Sequence, residues 1–336
     1  MSAPRLLAVL LNYRTAGMTL GAARAALAAM EGIPGELVIV DNDSGDGSEE
    51  RLRAAAEAED WLASGRVRVI QSGRNGGFGA GNNAGIRAGL AAEPRPDYVY
   101  ILNSDAFPAP DAIRILIDHL EADPSAGFAG SHIHGPEGDP HVTAFRYPSV
   151  WSELEGSVRF GPLTRLLRNH VVSLGVPGTV REVDWLAGAS LMMRRRVLDE
   201  IGLFDERFFL YFEETDLCRR ARRAGWPTHY VPQSRVAHVG SVSTGMKKWA
   251  RTPRYWFDSR LHYFTKNHGA GYAALATLAR LAGGLVWETR RLVQRKPAAD
   301  PPGFLRDLAG HALAAPFRRP GPAAARSPSL SDRTAP

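Results

Sequence analysis

Apolar runs alternate with helix-forming stretches along the first hundred residues. Residues 6–11 and 36–41 are apolar runs of strand length, and the Ala-rich stretch 20–30 between them has helical composition. The alternation continues with a helix over 48–62, a strand over 67–70, a glycine-rich loop over 73–81, a helix over 82–91 and a strand over 98–102. Such alternation is typical of a doubly wound α/β sheet, in which ligands bind beyond the carboxyl ends of the strands.

The pattern becomes less regular after residue 106. It predicts a helix over 111–121, ordered segments over 183–193 and 194–201, a helix over 216–224, and short strands over 228–231 and 236–238. Because residues 135–178 are rich in Gly, Pro and aromatic residues, we expect a long excursion over the active face. Residues 255–295 have helical periodicity, with leucines near one face and arginines off it.

The composition agrees with one large α/β domain and an appendage, since 44% of the 336 residues are hydrophobic. The single cysteine, Cys218, excludes an internal disulfide framework and favours a reducing compartment. The apolar start leads directly into a strand pattern without a small-residue cleavage site, so we expect no signal peptide and a cytoplasmic location.

The net charge of +6 is unevenly distributed. Residues 247–336 contain 16 Lys and Arg against 5 Asp and Glu, whereas residues 1–246 contain 25 against 30. This cationic arm favours an anionic membrane surface as a partner, with peripheral attachment to the inner face of the cell membrane. No nucleic-acid partner is expected, because the arginines alternate with aliphatic instead of aromatic residues. A solvated Arg-rich tail is the alternative.

The apolar stretch 271–287 is interrupted by Arg280, which makes it a poor transmembrane span. It is compatible with a helix lying in a membrane interface, and equally with an amphipathic helix packed on its own domain.

Polar side chains follow two of the predicted strands. The segment from Asp41 to Ser48 follows the second strand, and Asn103, Ser104 and Asp105 follow the fourth. Carboxylate oxygens at that edge of a sheet are suitable ligands for a divalent cation that bridges two phosphates. Each segment taken alone is also compatible with an ordinary turn.

Three acids, Glu213, Glu214 and Asp216, lie within four positions of each other. Adjacent carboxylates repel, which raises at least one pKa and favours a proton acceptor near neutral pH. The alternative is an acidic helix N-terminus favoured by the helix dipole. His238 follows the last predicted strand and could complete a metal site, or be purely structural.

Residues 79–84 match the G-x-G-x-x-A pattern of dinucleotide-binding proteins. The pattern follows the third strand instead of the first, and no acidic residue ends a strand about twenty positions later, as that fingerprint requires. A nicotinamide or flavin enzyme is therefore not expected.

Six segments in this order resemble the family 2 glycosyltransferases, in particular their bacterial rhamnosyltransferase-like branch. They are VLLNYRT, IVDNDSGDGS, GRNGGFGAGNNAGI, YILNSDA, VDWLAGASLMMRRRVLDEIGLFDERFFLYFEETDLCRRARRAGW and AHVGSVSTG. The resemblance covers about residues 6–245. It implies a GT-A fold, a Rossmann-like doubly wound mixed sheet, here followed by a helical C-terminal extension.

The resemblance also implies roles for individual residues. Nucleoside contacts would come from Asn12, Asp41 and Asn42, with Tyr13, Asn103 and Ser104 as further substrate-binding residues, while the donor pocket would be shaped by Asn75, Gly76, Phe78 and Asn83. Asp105 and His238 would hold Mg²⁺ or Mn²⁺. Glu214 would be the catalytic base, with Glu213 and Asp216 as alternates. From its residue type, Trp185 beside Gly188 could stack on an acceptor sugar or belong to the core.

Two positions depart from the family pattern. Asn103 stands where the strict D-x-D motif has its first aspartate, so the metal would have one anionic protein ligand fewer. Glu213 and Glu214 stand where the family usually has Glu-Asp or Asp-Asp, so the base would lie one methylene further from the backbone.

The implied activity is metal-dependent, inverting transfer of a sugar, with L-rhamnose from dTDP-rhamnose favoured and UDP-sugars next. The implied acceptor is a hydroxyl of a lipid-linked glycan in cell-envelope polysaccharide synthesis. A glycosyltransferase of a natural-product pathway and a catalytically degenerate nucleotide-sugar-binding protein are the alternatives, and a homo-oligomer stays open.

The expected parts of the chain follow from this resemblance. A GT-A catalytic domain would span residues 1–246, with a nucleotide-sugar half over about 1–106 and an acceptor half over about 107–246. A basic amphipathic helical extension would follow over 247–315, and a disordered tail over 316–336.

Overall fold

A computed structural model of the chain describes residues 3–240 and 249–315. The strands are β1 (Leu6–Asn12), β2 (Gly35–Asp41), β3 (Val67–Gln71), β4 (Tyr98–Asn103), β5 (Ala106–Pro108), β6 (Phe128–His134), β7 (Ala144–Phe145), β8 (Arg181–Val183), β9 (Trp185–Leu186), β10 (Ser190–Arg194) and β11 (Thr228–His238). The helices are α1 (Ala16–Ala29), α2 (Ser48–Ala58), α3 (Phe78–Leu90), α4 (Ala112–Ala122), α5 (Val150–Val158), α6 (Gly161–Leu166), α7 (Arg195–Ile201), α8 (Glu213–Arg223), α9 (Arg254–His268), α10 (Ala270–Val293) and α11 (Phe304–Ala314). The expected disordered tail lies outside the described residues.

The predicted doubly wound mixed sheet is confirmed. Within the described residues it has nine strands, in the order β3-β2-β1-β4-β10-β6-β11-β5, and β8 pairs with β11. Strands β1 to β4 are parallel, whereas β10 runs antiparallel between β4 and β6. Strands from both halves of the predicted catalytic domain therefore share one continuous sheet.

Alternate side chains of β1 point into two separate cores. Leu6, Ala8 and Leu10 pack on the side of α1, α2 and α4, while Leu7 and Val9 pack on the side of α3, α7 and α8. All five are at most 1% exposed. A strand buried on both faces reads as a continuous apolar run, which explains why the sequence identifies β1 and β2 so clearly.

Two expectations from the second half were wrong. The stretch 135–178 contains α5 and α6 instead of an irregular excursion, and the two short strands over 228–231 and 236–238 are one strand, β11, with a register shift between Val231 and Arg235. In the first half, α3 begins at Phe78 inside the predicted glycine loop, because Gly77 has a φ of 89° and ends the loop there. Strands β5 and β6 were not predicted.

The C-terminal helices are packed against the rest of the molecule. Arg260 of α9 is 2% exposed and donates to Glu153 of α5 and to Thr277 of α10. Tyr263 of α9 and Ala273 of α10 share an apolar cluster with Phe208. Within the described residues, α10 is the one helix long and apolar enough to cross a membrane by length and composition.

The close packing of α3 on the sheet can be tested at Gly85. A Cβ there would lie 2.6 Å from Val9 Cγ1 and 2.8 Å from Val40 Cγ2, and both valines are fully buried and stiff at χ1. We expect Gly85→Ala to lower the free energy of unfolding by about 1–3 kcal/mol through overpacking.

The matched control is Gly17→Ala in α1, where the position is exposed and the nearest atom would be 4.0 Å away. Its expected effect is a gain of about 0.4–1 kcal/mol from reduced chain entropy. Urea unfolding measures both variants. Equal effects at the two positions would contradict the packing described for α3.

Candidate active site

The carboxyl ends of β1 and β2 form a buried polar network. Asn12 Nδ2 donates to Asp41 Oδ1 at 2.6 Å and to Ser44 Oγ at 3.2 Å, and Ser44 Oγ donates to Asp41 Oδ1 at 2.5 Å. Asn12 and Asp41 are at most 1% exposed. The structure thus brings Asn12 and Asp41 together. Because both are buried, they stabilise the conformation of the sheet edge. Their direct contact with a nucleoside stays a prediction.

The glycine-rich loop is held by amide side chains. Asn42 Nδ2 donates to Asn75 Oδ1 at 3.1 Å and to the Gly77 carbonyl at 3.2 Å, while Asn75 Oδ1 also accepts from the Gly77 amide. Gly76 is buried in the same turn, where a Cβ would lie 2.6 Å from the Cβ of Ala80. Asn42, Asn75 and Gly76 therefore lie together and fix the loop conformation, and their contacts with a nucleotide sugar stay predictions.

Gly77 was not predicted, yet the loop depends on it. A Cβ at Gly77 would lie 1.7 Å from the carbonyl oxygen of Phe209, which accepts a hydrogen bond from the Phe78 amide at 3.0 Å. The loop between α7 and α8 consequently lies directly against the first turn of α3. Only glycine allows this backbone approach.

Asn83 lies at the contact between α3 and the α7–α8 loop. It is fully buried, and its amide both donates to the Phe204 carbonyl at 2.9 Å and accepts from the Phe204 amide at 3.1 Å. It also donates to Glu206 Oε1. Asn83 thus clamps the α7–α8 loop onto α3, and its predicted part in shaping the donor pocket stays a prediction.

The strand end after β4 meets the end of β11. His238 Nε2 lies 2.9 Å from Asp105 Oδ1, and the Gly240 amide donates to Asp105 Oδ2 at 3.1 Å. Asn103 Nδ2 is 3.4 Å from the same His238 nitrogen, and Ser104 Oγ accepts from Thr15 at 3.2 Å. Two residues 133 positions apart in the sequence, both expected to bind metal, are therefore in contact.

This pair fits a divalent cation that is shared with a substrate. Asp105 offers a carboxylate oxygen and His238 an imidazole nitrogen, both donor types that divalent cations accept, on side chains that are in contact. Within the described residues there is no group of three or more His, Cys, Asp or Glu side chains that could enclose a metal ion. A cation here would complete its coordination with phosphate oxygens and water, as Mg²⁺ commonly does.

Glu213 and Glu214 open α8, directly after an unusual turn. Tyr211 and Phe212 have φ values of 71° and 69°, in the left-handed region that costs a bulky residue about 1–3 kcal/mol. Packing opposes this strain, since the Phe212 ring lies 5.4 Å from that of Tyr263 in α9, and Ser259 Oγ donates to the Leu210 carbonyl at 2.9 Å.

The two glutamates face different surroundings. The Cβ of Glu213 lies 3.7 Å from the place of a Cβ on Gly79, and Glu213 is 2% exposed beneath α3. Glu214 is half-buried. A Cβ built on Gly188 would lie 3.9 Å from Glu214 Oε1 and 2.9 Å from the Phe78 ring. Gly188 therefore leaves room for the Phe78 ring, while Glu214 lies at ordinary contact distance from it.

Glu214 is linked to the Asp105 site through a short stretch of backbone. Glu214 Oε1 lies 3.9 Å from the place of a Cβ on Gly188, and the next residue, Ala189, accepts from the Asn103 amide at 3.2 Å. Asn103 stands two residues before Asp105. The acidic pair and the Asp105–His238 pair thus lie on adjoining segments at one edge of the sheet.

Burial governs the acidity of the glutamate pair. Burial and the neighbouring Glu214 charge raise the pKa of Glu213 well above its usual range, against hydrogen bonds from the Glu213 and Tyr211 amides. Burial also raises the pKa of Glu214, and this effect exceeds the lowering of the pKa by the backbone amides of Glu214 and Gly188. One oxygen of each carboxyl has no hydrogen-bond partner among the described residues. These are the properties of a proton acceptor that works near neutral pH.

Asp216, one of the two alternates for the base, is bonded through both carboxylate oxygens within the protein, and its role as base stays a prediction. It is fully buried, and its two oxygens accept from Arg220 Nε at 2.9 Å, Lys266 Nζ at 2.7 Å and Asn267 Nδ2 at 3.1 Å. Lys266 also binds Asp205 in the α7–α8 loop at 2.8 Å. Asp216 therefore joins α8 to α9.

Trp185 and Tyr13 are half-buried. The indole of Trp185 stacks on Phe145 with ring centroids 4.3 Å apart and donates to the Arg146 carbonyl at 2.9 Å, so one ring face is already covered. The Arg14 guanidinium lies 5.2 Å over the Tyr13 ring. Contacts of Trp185 with an acceptor and of Tyr13 with a nucleotide stay predictions.

Known proteins were compared with this chain at the levels of family, sequence and fold. The family model described as Glycosyltransferase like family 2 matches residues 4–260, about three quarters of the chain. The chain belongs to glycosyltransferase family 2. This family 2 protein is 32% identical over 226 residues to the N-acetylglucosaminyl-diphospho-decaprenol L-rhamnosyltransferase of Mycobacterium tuberculosis, covering 63% of the chain and 69% of that relative. It is 29% identical over 166 residues to the rhamnosyltransferase WbbL of Escherichia coli, covering 48% and 60%.

Solved structures confirm the GT-A fold of this family 2 protein. The mannosyltransferase PcManGT of Pyrobaculum calidifontis, in complex with GDP-Man and Mn²⁺, matches with a TM-score of 0.56 at 16% identity, covering 95% of this chain and 82% of that structure. GalNAc-T7 with UDP, GalNAc and Mn²⁺ matches with a TM-score of 0.52 at 15% identity, covering 92% and 55%. At these identities the likeness shows the fold alone.

The buried carboxyl pair can be tested through the pH dependence of stability. A carboxyl whose pKa is raised by folding stabilises the protein below its ordinary pKa, and this contribution is lost as pH rises toward the folded-state value. We therefore expect Glu213→Gln to unfold at a higher temperature than the parent protein at pH 8, and at nearly the same temperature near pH 4.

Thermal unfolding followed by circular dichroism across this pH range makes the comparison. Glu57→Gln, at an exposed position of α2, controls for the loss of one surface charge. A Glu213→Gln variant that is less stable than the parent at pH 8 would contradict the burial of a costly carboxylate.

Proposed function

We propose that this family 2 protein is an inverting, metal-dependent glycosyltransferase that transfers L-rhamnose from dTDP-rhamnose to a hydroxyl of a lipid-linked glycan. The observation that carries the proposal is the placement of the Glu214 carboxyl and the Asp105–His238 pair on adjoining segments of one sheet edge. A base and a diphosphate-binding site at one edge are what a single displacement at a sugar carbon requires.

The relatives support the choice of sugar and acceptor. Two are rhamnosyltransferases by name, and the mycobacterial one is named for an acceptor in which N-acetylglucosamine is joined through a diphosphate to decaprenol. A reaction on such an acceptor would contribute to cell-envelope polysaccharide. The protein would then work in the cytoplasm, peripherally at the inner face of the cell membrane.

Glu214 is the base in this proposal. Its carboxyl would accept the proton of the acceptor hydroxyl as that oxygen attacks the anomeric carbon from the face opposite the nucleotide, which inverts the configuration. The raised pKa suits a group that must accept a proton near neutral pH. Glu213, more deeply buried beneath α3, and Asp216 are the alternates.

Asp105 and His238 would hold Mg²⁺ or Mn²⁺, and a bound cation would neutralise the charge that develops on the leaving diphosphate. The Asn12–Asp41 network and the Asn42–Asn75 loop would support the nucleotide by keeping the sheet edge and the glycine loop in place. Asn103 contributes no negative charge, so the protein would rely more on the diphosphate oxygens as metal ligands.

Replacement of Glu214 tests the assignment of the base. We expect Glu214→Gln to reduce the rate of sugar transfer by roughly 10²-fold or more, since general-base catalysis contributes about 10²–10⁴-fold. Binding of dTDP in the presence of Mn²⁺, measured by calorimetry, should be retained.

Glu214→Asp is the matched control, because it keeps the charge and shortens the reach by one methylene. It should retain more activity than Glu214→Gln. Near-normal turnover by Glu214→Gln would move the role of base to Glu213.

A donor screen tests the proposed function as a whole. Release of nucleoside diphosphate is measured from dTDP-rhamnose, UDP-sugars and GDP-mannose, with Mg²⁺, with Mn²⁺ and with EDTA. We expect release with dTDP-rhamnose, faster when acceptor is present, and its loss in EDTA. Release that persists in EDTA would contradict the metal role, whereas nucleotide binding without release from any donor would favour a degenerate binding protein.

A further inference from the structure

The helix α10 exposes an apolar face that carries no charge. Among its exposed positions, which are all described, only Thr289 is polar. Six large apolar side chains dominate this face, with exposed fractions from 46% to 80%: Leu275, Leu278, Leu285, Val286, Leu292 and Val293. A stripe of this kind along a helix about 36 Å long, at 1.5 Å per residue, is larger than the scattered apolar residues of an ordinary protein surface.

The opposite face of α10 is fixed to the protein, so the helix cannot leave it to cross a bilayer without breaking these contacts. A Cβ at Gly283 would lie 2.0 Å from Ser157 Oγ of α5, and one at Gly284 would lie 2.4 Å from Leu305 of α11. Arg290 donates to the Val158 carbonyl at 3.0 Å. The exposed stripe therefore lies along the outside of the folded molecule.

A second segment with exposed apolar side chains contacts α10. The Arg290 guanidinium covers the ring of Phe160 at 4.6 Å, which brings the start of α6 to the C-terminal half of α10. Phe160 and Leu166 are 43% and 78% exposed. Four exposed basic residues border this region: Arg165 and Arg168 at α6, and Arg295 and Lys296 after α10.

The charge of this border favours one kind of partner. The segments 161–170 and 294–299 contain basic but no acidic residues. Glu288, the one acid of α10, is half-buried and bonded to Arg291 at 2.6 Å. Two copies of the chain joined through this face would bring two cationic borders together, whereas an anionic lipid surface supplies both an apolar layer and phosphates.

We propose that the exposed face of α10, with Phe160 and Leu166, inserts into the interface of a membrane that contains anionic lipid, while Arg165, Arg168, Arg295 and Lys296 contact the lipid phosphates. The inference deepens the proposed function by naming the surface through which the enzyme would reach a lipid-linked acceptor. The biological purpose of membrane binding rests on the proposed function, whereas the ability of this surface to bind a membrane does not.

Sedimentation with vesicles tests this surface. The full-length protein is mixed with vesicles of phosphatidylcholine alone or with phosphatidylglycerol added, at low and high salt. We expect binding to the anionic vesicles that weakens at high salt, and at least about tenfold weaker partitioning for Leu278→Gln/Leu285→Gln, since each buried leucine contributes about 1.5–3 kcal/mol.

The matched control is Val176→Gln/Val180→Gln, which changes two valines that are 38% and 42% exposed outside the stripe and should bind like the parent. Arg295→Gln/Lys296→Gln should lose part of the salt-sensitive binding. Thermal unfolding checks that each variant is folded.

Three results would overturn the proposal. They are a parent protein that sediments with neither vesicle, a leucine variant that binds like the parent, and a parent dimer in light scattering that the leucine variant converts to a monomer. Nucleoside diphosphate release without vesicles should be equal in the parent and the leucine variant. A parent that binds vesicles but releases no nucleotide would refute the proposed function and leave the membrane surface intact.

Discussion

The candidate site depends on the position of two adjacent glutamates, one buried and one half-buried, at the first turn of α8. Burial opposes their ionisation, and the turn before them places Tyr211 and Phe212 in a left-handed conformation. Both features are unfavourable for folding alone. They persist because α3 holds the turn on one side through Gly77 and Asn83, and α9 holds it on the other through Ser259 and Tyr263.

This arrangement gives the C-terminal helices a structural role in the site. Lys266 of α9 bonds to Asp205 in the α7–α8 loop and to Asp216 in α8, so it connects the segments on both sides of the glutamate pair. Burial raises the pKa of Asp205, but bonds from His262 and Lys266 outweigh it and hold that pKa below its usual range. Helix α9 therefore belongs to the body of the protein, and the exposed apolar face is confined to α10 and its neighbours.

The sequence was sufficient to predict the parallel half of the sheet, because strands buried on both faces are continuous apolar runs between helices. The strand-end pattern also identified Asp41 and Asp105 as candidates, since parallel strands bring their carboxyl ends to one edge, whereas Asn12 was expected only from the family resemblance. The contact of His238 with Asp105 was expected only from the family resemblance. Residue patterns alone do not decide whether a histidine after a strand binds a metal or has a structural role.

Other features carry no local signal. Left-handed Tyr211 and Phe212 violate the usual preferences of aromatic residues and are maintained by distant contacts. The clamp formed by Asn83 joins residues 121 positions apart. Helices α5 and α6 lie in a stretch rich in Gly, Pro and aromatic residues, and for α5 packing against α10 outweighs weak helical propensity.

The central claim is that Asp105, His238 and Glu214 face a single donor diphosphate and its sugar. A crystal structure with dTDP-rhamnose and Mn²⁺, in which anomalous scattering locates the metal, tests it most directly. The account predicts Mn²⁺ bound by Asp105 and His238 at roughly 2.1–2.2 Å, with the rhamnose anomeric carbon between the metal and the Glu214 carboxyl. A metal held elsewhere, or a sugar on the side away from Glu214, would contradict it.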